Sequence, residues 1–231
     1  MPKQRGKVRD RARKKEKNKS KNDFFLRRKN LLVQIRKFND PILEAECDEV
    51  ISDDKVLVEE TFKKMIQILT MTKNGVGLAA SQIGVTKKLA IIRPDSKSHK
   101  ITCMINPEII AESDKMKYGK EGCLSYPDTY AFVERYTSVT VRYLDEEWKE
   151  HEVKYDEGDI LGIIIQHELE HLDAGHCQIH DWWENPEMME KILRKKLAPE
   201  GKSSNEVVES EDLKKEKEDI DEVEKKDENE E

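Results

Sequence analysis

The chain has no apolar run as long as the roughly 18 residues that a transmembrane helix needs. Its first residues are basic but lack the apolar stretch of a secretory signal. Four cysteines, Cys47, Cys103, Cys123 and Cys177, have no regular spacing, which is not the pattern of a disulfide framework. From these absences we expect a cytoplasmic protein that does not act at a membrane and keeps its cysteines reduced.

Charge, in contrast, is abundant and concentrated at the two ends. Charged residues make up 39% of the 231 residues, and apolar residues make up 36%. Residues 1–30 contain 14 Lys/Arg against three Asp/Glu, whereas residues 200–231 contain six against 15. We therefore predict a basic disordered N-terminal arm (residues 1–30), one folded domain (residues 31–199) and an acidic disordered C-terminal tail (residues 200–231).

The two predicted tails allow more than one interpretation. Clusters of Lys and Arg can contact the phosphates of a nucleic acid. The arm, however, has no aromatic residue before Phe24 on which a base could stack, so a simple solvated segment is the alternative. The acidic tail is interpreted as a solubilising segment or as one that pairs loosely with the basic arm.

Apolar periodicity predicts an α+β domain. Helical spacing predicts an amphipathic helix over residues 55–70. The run at 160–165 could be a buried strand, but its continuation through residue 172 favours a buried helix with Asp159 as its N-cap. Further segments with turn signals between them predict antiparallel strands at residues 89–92, 101–105 and 138–144, and a last helix at 188–197. Strands and helices do not alternate, so a parallel sheet is excluded.

The run QHELEH at residues 166–171 is the strongest functional signal. On a helix, His167 and His171 lie one turn apart and can bind one metal ion, while Glu168 can reach a water on that ion. A charged helix with two solvent-facing histidines is the alternative. A catalytic zinc-type site commonly has three protein ligands. The third is to be sought among Cys123, Cys177, His176, His180 and several acids.

Two other segments are distinctive. In EGCLS (residues 121–125), the glycine directly before Cys123 permits a tight backbone approach. In GVGLAASQ (residues 75–82), glycines and alanines allow close packing, and Gln82 carries an amide that could polarise a carbonyl.

Together the three motifs, GVGLAASQ, EGCLS and QHELEHL, resemble in order and spacing those of peptide deformylase. This family of metallohydrolases removes the formyl group from the N-terminal formylmethionine of new proteins. The resemblance covers about residues 32–197 and does not extend to the tails. It implies a catalytic domain in which antiparallel sheets pack around a central buried helix that carries the histidine motif.

The resemblance also implies the roles of the reacting groups. Cys123, His167 and His171 would bind one divalent ion, which in this family is Fe²⁺ in the cell, with Zn²⁺, Ni²⁺ or Co²⁺ tolerated. The ligand types alone would suggest zinc. Glu168 would act as the general acid/base, and the Gln82 amide with the backbone N–H of Leu124 would bind the oxyanion.

The implied substrate is an N-formylmethionyl nascent peptide, bound like an added strand along Val76 and Gly77. The residues expected to contact it are Val76, Gly77, Gly122, Ile163 and Ile164, with Ile160 as either a pocket residue or plain core. Glu121 and Arg135 are expected to form an ion pair that fixes the cysteine loop. The basic arm is a candidate ribosome contact, since ribosomal RNA is rich in phosphate.

The chain departs from the family pattern at three positions. Glu170 stands where the family usually has aspartate, Ala174 where it has glycine, and Tyr130 where many bacterial members have arginine. Activity should survive the first two, and Tyr130 leaves contacts to the downstream peptide open. Cys177, His176 and His180 are expected to be structural or exposed.

Two alternatives compete with an active deformylase. One is a degenerate fold that keeps the metal and serves only as a binding module. The other is a zinc peptidase of the general H-E-x-x-H type. The presence of Gln82, Cys123 and Glu168 with both histidines argues against the first. The motifs at 75–82 and 121–125 argue against the second.

Overall fold

A computed structural model describes residues 30, 32, 34–173 and 177–197. The predicted arm, apart from Asn30, and the predicted acidic tail lie outside the described residues, as do Ala174 and His176. The chain divides into two units, and the larger one, Met1–Trp183, contains every residue predicted for the site. No helix among the described residues is long and apolar enough to cross a membrane.

Helix α1 spans Lys55–Met71, close to the predicted residues 55–70. It forms because apolar side chains recur on one face. Phe62, Met65 and Ile68 on that face belong to a first core cluster, which also contains Leu78, Ile91 and Cys103. The helix ends at Thr72, whose extended backbone still donates to the carbonyls of the last turn. Arg93 fixes the following loop, since its buried guanidinium donates to the carbonyls of Leu69 and Gly75.

The described residues contain seven strands in two sheets: β1 Gly77–Ala79, β2 Leu89–Ile92, β3 Thr102–Glu112, β4 Met116–Cys123, β5 Tyr126–Tyr136, β6 Val139–Leu144 and β7 Glu150–Tyr155. The larger sheet has the order β1-β2-β3-β6-β7, and β4 and β5 form a separate two-stranded sheet. Every strand pair within these sheets is antiparallel. The predicted α+β class with antiparallel sheets is therefore confirmed.

Helix α2, Ile160–Glu170, carries the histidine motif. The Asp159 side chain accepts the Leu161 N–H at 2.9 Å, as expected of an N-cap. The helix packs on β1 and β2, and Ile164, Ile165 and Leu169 are buried in a second core cluster with Ala90, Met104 and Val141. Burial on several sides explains why its apolar sequence is continuous rather than confined to one stripe.

The remaining helices follow the site. Helix α3, Ile179–Glu184, buries Ile179 in a third core cluster with Cys177, Tyr126 and Val133. Helix α4, Pro186–Leu197, belongs to the second unit and starts two residues before the predicted 188. Proline is well suited to the first turn of a helix, where its missing N–H costs no hydrogen bond.

Candidate metal centre

Two elements, β4 and α2, carry the three candidate metal ligands. Cys123 is the last residue of β4, His167 lies in the last turn of α2, and His171 is the C-cap of that helix. One ligand atom from each residue lies within 4.8 Å of the other two. The Cys123 Sγ and His171 Nε2 atoms are 3.2 Å apart. The structure therefore brings together the third-ligand candidate Cys123 and the two histidines.

The His167 ring is oriented by a carboxylate. Its Nδ1 lies 2.8 Å from Oε2 of Glu121, which leaves Nε2 for the metal. Arg135 in turn donates to both oxygens of Glu121 at 2.9 Å. Burial raises the pKa of Glu121, but His167 and Arg135 outweigh that effect and lower it below its ordinary value. Glu121 is thus held as an anion at the back of His167.

Glu170 extends this network, a role that the sequence did not predict. It pairs with Arg135, which is only 3% exposed. It also accepts from Gln178 Nε2 at 2.6 Å and from the Gln178 backbone N–H at 3.2 Å. The buried Arg135 therefore has two anionic partners, and its pKa is raised by them against the effect of burial. The longer acid at position 170 connects α2 to the segment that leads into α3.

The electrostatics of the cluster favour a thiolate. Burial raises the pKa of Cys123, but His171 and His167 together lower it well below that of an ordinary thiol. Burial lowers the pKa of His171, but the sulfurs of Cys123 and Cys177 raise it to about 10. The cluster thus combines a negatively charged sulfur with imidazoles that hold protons when no metal is bound. A divalent cation would replace those protons and neutralise the sulfur.

Glu168 lies beside the cluster in a tightly enclosed position. It is 4% exposed, and burial raises its pKa to about 7. Gly77 of β1 makes room for it, because a Cβ at that position would overlap Oε1 of Glu168. The other carboxylate oxygen, Oε2, is buried with no hydrogen-bond partner in the described part of the chain. An unpartnered buried oxygen of this kind implies a further group in the site.

The Gln82 amide has a fixed orientation. Gln82 lies in a short 3-10 turn, Ser81–Ile83, that directly follows β1. Its Oε1 accepts the Ala79 N–H at 2.8 Å, so its Nε2 must face the cysteine loop. There Nε2 donates to Ser125 Oγ at 3.1 Å and lies 3.4 Å from Cys123 Sγ. The amide donor is therefore directed at the space around the sulfur.

The residues present fit a metal ion on the chemistry of the donor set. A thiolate and two imidazoles are borderline-soft ligands suited to Fe²⁺, Zn²⁺, Ni²⁺ or Co²⁺. Three protein ligands leave an open coordination position, as catalytic sites require. Glu168, whose Oε2 has no hydrogen-bond partner among the described residues, is close enough to the charges of Cys123, His167 and His171 for them to act on its pKa.

The predicted substrate residues have different environments. Gly77 is buried close to the side chains of Glu168 and Ile164, Ile164 is itself buried, and Val76 and Ile163 are partly buried. Ile160 is 50% exposed, so it is not a core residue. Gly122 is exposed and pairs with Tyr130, whose ring would lie 3.3 Å from a Cβ added at Gly122. The backbone of Leu124 continues from Cys123 into the tight turn before β5.

Neither Cys177 nor His180 belongs to the cluster of Cys123, His167 and His171 found among the described residues. Cys177 is 1% exposed and packs in the third core cluster, which Cys123 also contacts. His180 Nδ1 lies 3.2 Å from the Tyr126 hydroxyl. Ser125 was within a predicted motif, but its role as acceptor for Gln82 was not predicted. Nothing in the sequence spacing indicated that Gln178 would donate to Glu170.

A thiolate and two imidazoles directed at one point, with a buried carboxylate beside them, form the arrangement expected of a metal-dependent hydrolase. Comparison with known sequences identifies the family. The sequence model described as polypeptide deformylase matches residues 32–182. The chain therefore belongs to the polypeptide deformylase family, whose activity is the removal of the N-formyl group from new peptides. The resemblance drawn from the three motifs is confirmed.

Individual relatives agree with this assignment. Peptide deformylase 1 of Vibrio vulnificus is 38% identical over 143 residues, which cover 62% of this chain and 82% of that protein. A peptide deformylase of Endomicrobium trichonymphae is 33% identical over 72% of this chain and 96% of its own length. The solved peptide deformylase of Thermotoga maritima is 30% identical, with a TM-score of 0.55 over 62% of this chain and 92% of that one. A Synechococcus elongatus deformylase in complex with actinonin is 31% identical, with a TM-score of 0.56 over 62% of this chain and 75% of that one.

Proposed function

We propose that this chain hydrolyses the formyl amide of N-formylmethionyl nascent peptides and releases formate. The observation that carries the proposal is the buried, partnerless oxygen of Glu168 beside the cluster of Cys123, His167 and His171. A binding module would gain nothing from burying a carboxylate of raised pKa at that point, because an unpaired buried polar atom destabilises the fold. An acid/base requires such an oxygen.

We propose that Cys123, His167 and His171 hold one divalent cation, Fe²⁺ in the cell. When bound, such a cation would lower the pKa of a water ligand and polarise the formyl oxygen. The Glu121 carboxylate keeps the His167 ring in place for this task, and Arg135 keeps Glu121 in place. Family membership and the donor set support the proposal.

In the proposed mechanism, Glu168 accepts the proton of the attacking water and then delivers it to the leaving amine nitrogen. A carboxylate with a pKa of about 7 can do both at neutral pH, since neither protonation state is strongly disfavoured. Burial excludes bulk water from Glu168, so the proton stays with the reacting groups.

The Gln82 amide and the Leu124 backbone N–H are proposed to bind the oxyanion that forms on the formyl carbon. The Ala79 N–H fixes the Gln82 amide in advance, so no reorientation is needed during the reaction. Loss of one such donor costs roughly 10²-fold to 10³-fold in kcat in comparable enzymes.

The peptide is proposed to extend along Val76 and Gly77, with its methionine side chain near Ile163 and Ile164. Strand β1 is three residues long and pairs, among the described residues, with β2 alone, so its other edge can accept a peptide strand. Backbone pairing of this kind tolerates varied sequences beyond the first residue.

The decisive experiment measures formate release from a formyl-Met peptide together with metal content. The wild type should release formate, and Glu168→Ala should lose at least about 10²-fold of the rate while it keeps its metal. Glu157→Ala removes an exposed acid just before the same helix and should leave both unchanged. A wild type that releases no formate would indicate a binding module. Cleavage of an internal peptide bond would indicate a peptidase.

We further propose that the basic arm, residues 1–30, contacts ribosomal RNA where nascent chains emerge, in the cytoplasm. Its 14 Lys/Arg against three Asp/Glu support phosphate contacts, and such contacts weaken steeply with added salt. Deleting the arm should reduce cosedimentation with ribosomes at low salt and flatten the salt dependence. Formate release from a free peptide should be unchanged, and equal cosedimentation with and without the arm would refute the contact.

A further inference from the structure

Residues 36–38, here called the N-terminal strap, lie across both segments that form the proposed oxyanion site. The Arg36 N–H donates to the Gln82 carbonyl at 2.7 Å, and the Phe38 N–H donates to the Ser125 carbonyl at 3.1 Å. The strap therefore joins the turn that carries Gln82 to the loop that follows the cysteine ligand. None of the three sequence motifs contains it.

Between these two contacts, Lys37 reaches the cysteine loop with its side chain. Its Nζ donates to the Leu124 carbonyl at 2.6 Å. The same peptide unit, Leu124–Ser125, directs its N–H from Ser125 to the Cys123 sulfur at 3.4 Å. One amide group therefore has an ammonium at its oxygen and the ligand sulfur at its nitrogen.

An amide in this position is polarised from both ends. A cation at the carbonyl oxygen withdraws electron density and makes the N–H a stronger donor, and hydrogen bonds in such a chain reinforce one another. The N–H in turn stabilises negative charge on the sulfur, and hydrogen bonds to a ligand sulfur tune the metal that it binds. Lys37 is an exposed residue; partial burial of its ammonium group lowers its pKa, while the charges of Cys123 and Asp128 act to raise it. Lys37 is thus within electrostatic reach of the sulfur.

We propose that Lys37 is a positioning residue of the metal centre, acting on Cys123 through the Leu124–Ser125 peptide. Its ammonium draws electron density from the sulfur, which keeps a bound cation electron-poor, and it holds the Leu124 backbone in place for the oxyanion. This inference rests on the proposed function, because it concerns the same site.

The change at the Cys123 sulfur determines in which direction an absorption band of the metal-loaded protein should move. Without the ammonium, the Ser125 N–H is a weaker donor and the sulfur lone pairs rise in energy. The sulfur-to-metal charge-transfer band of the Co²⁺-substituted protein should then move to longer wavelength. Loss of an outer hydrogen-bond partner of a metal ligand costs about 10-fold to 100-fold in activity or metal affinity. We expect kcat to fall about tenfold, with KM changed less than about twofold.

The test compares Lys37→Met, Lys37→Gln and Lys37→Arg in the full chain loaded with Co²⁺. Lys87→Met is the matched control, because its Nζ also donates to a loop carbonyl, that of Glu49 at 3.2 Å, away from the metal ligands. The measurements are the absorption spectrum, circular dichroism as a check of folding, and kcat and KM for formate release. The band should shift in Lys37→Met, shift less in Lys37→Gln, and keep its wild-type position in Lys37→Arg and Lys87→Met.

The outcomes separate this inference from the proposed function. A band that shifts in Lys37→Met, combined with a wild type that releases no formate, would uphold the role of Lys37 and refute the deformylase reaction. Folded Lys37→Met and Lys37→Gln with unshifted bands would overturn the inference, even if kcat falls, since Lys37 would then serve only the fold. A folded wild type with no cobalt–thiolate band would refute the metal centre and this inference together.

Discussion

Gly77 is the point at which the backbone of β1 approaches the carboxylate of Glu168, the proposed acid/base. It belongs to β1, pairs with Ile92, and has a Glu168 oxygen where a side chain would begin. A Cβ there would also lie 2.8 Å from Cγ2 of Ile164, so the site cannot relax without moving a helix residue. The requirement for glycine comes from space, since the positive-φ glycines lie elsewhere, at Gly84 and Gly158.

Gly77→Ala should therefore displace the Glu168 carboxylate. We expect at least about 10²-fold loss of kcat/KM, the scale of a misplaced acid/base, with metal content unchanged. Overpacking should also lower the free energy of unfolding by about 1–3 kcal/mol, measured by urea denaturation. Gly119→Ala is the control, because its Cβ would meet nothing within 4 Å. Full activity in Gly77→Ala would show that Glu168 does not need its present position.

The network behind His167 shows how a single residue change is accommodated. A longer acid at position 170 still reaches Arg135, and it gains Gln178 as a second partner. Removing Arg135 would leave two buried carboxylates without their common cation, which is far more costly than loss of a surface ion pair. The departure at Glu170 is therefore compensated within the structure.

Among the elements, helix α2 is stabilised by its N-cap residue, Asp159, as well as by burial. Asp159→Ala removes the side-chain acceptor of the Leu161 N–H and should lower the free energy of unfolding by about 1 kcal/mol. The measurement is chemical denaturation of the metal-loaded protein. Asp156→Ala, an exposed acid that pairs with Lys154, should change it by less than about 0.5 kcal/mol. Equal losses in both variants would contradict the capping role.

The sequence predicted those elements whose apolar pattern is long and continuous. Helix α1 was predicted at 55–70 and found at Lys55–Met71, and the apolar run after Asp159 begins α2 at Ile160. Both patterns exist because each helix must bury one or more faces against the same sheet. Strand β6 was predicted at 138–144 from its alternating sequence and found at Val139–Leu144. In the structure its residues alternate between buried and partly buried.

The β4–β5 hairpin could not be predicted in the same way. Strand β4, MKYGKEGC, contains three charged residues and two glycines, and no apolar alternation marks it. Its strand conformation depends on pairing with β5, which the local sequence does not encode. The contact between Lys37 and Leu124 likewise joins residues 87 positions apart. Neither propensity nor spacing contains information on such contacts.

Taken as a whole, the molecule should be more stable with its metal than without it. A cation that binds only the folded state adds RT ln(1 + [L]/Kd), or about 2.7 kcal/mol at 100 times Kd. A chelator should therefore lower the thermal midpoint, and added cation should restore it. Cys123→Ala should abolish this gain, whereas Cys103→Ala, in the first core cluster, should keep it. A midpoint that is insensitive to chelator in the metal-loaded wild type would contradict the ligand set.

The separation of the two sheets would give a bound cation a second role. Cys123 belongs to the two-stranded sheet, whereas the histidines belong to a helix packed on the five-stranded sheet. A cation bound by both would be a reversible cross-link between parts of the chain 48 residues apart in sequence. Its loss should raise hydrogen exchange in β4 and β5 before the larger sheet responds. The expected consequence of metal depletion is thus mechanical as well as chemical, with the cysteine strand loosened from the histidine helix.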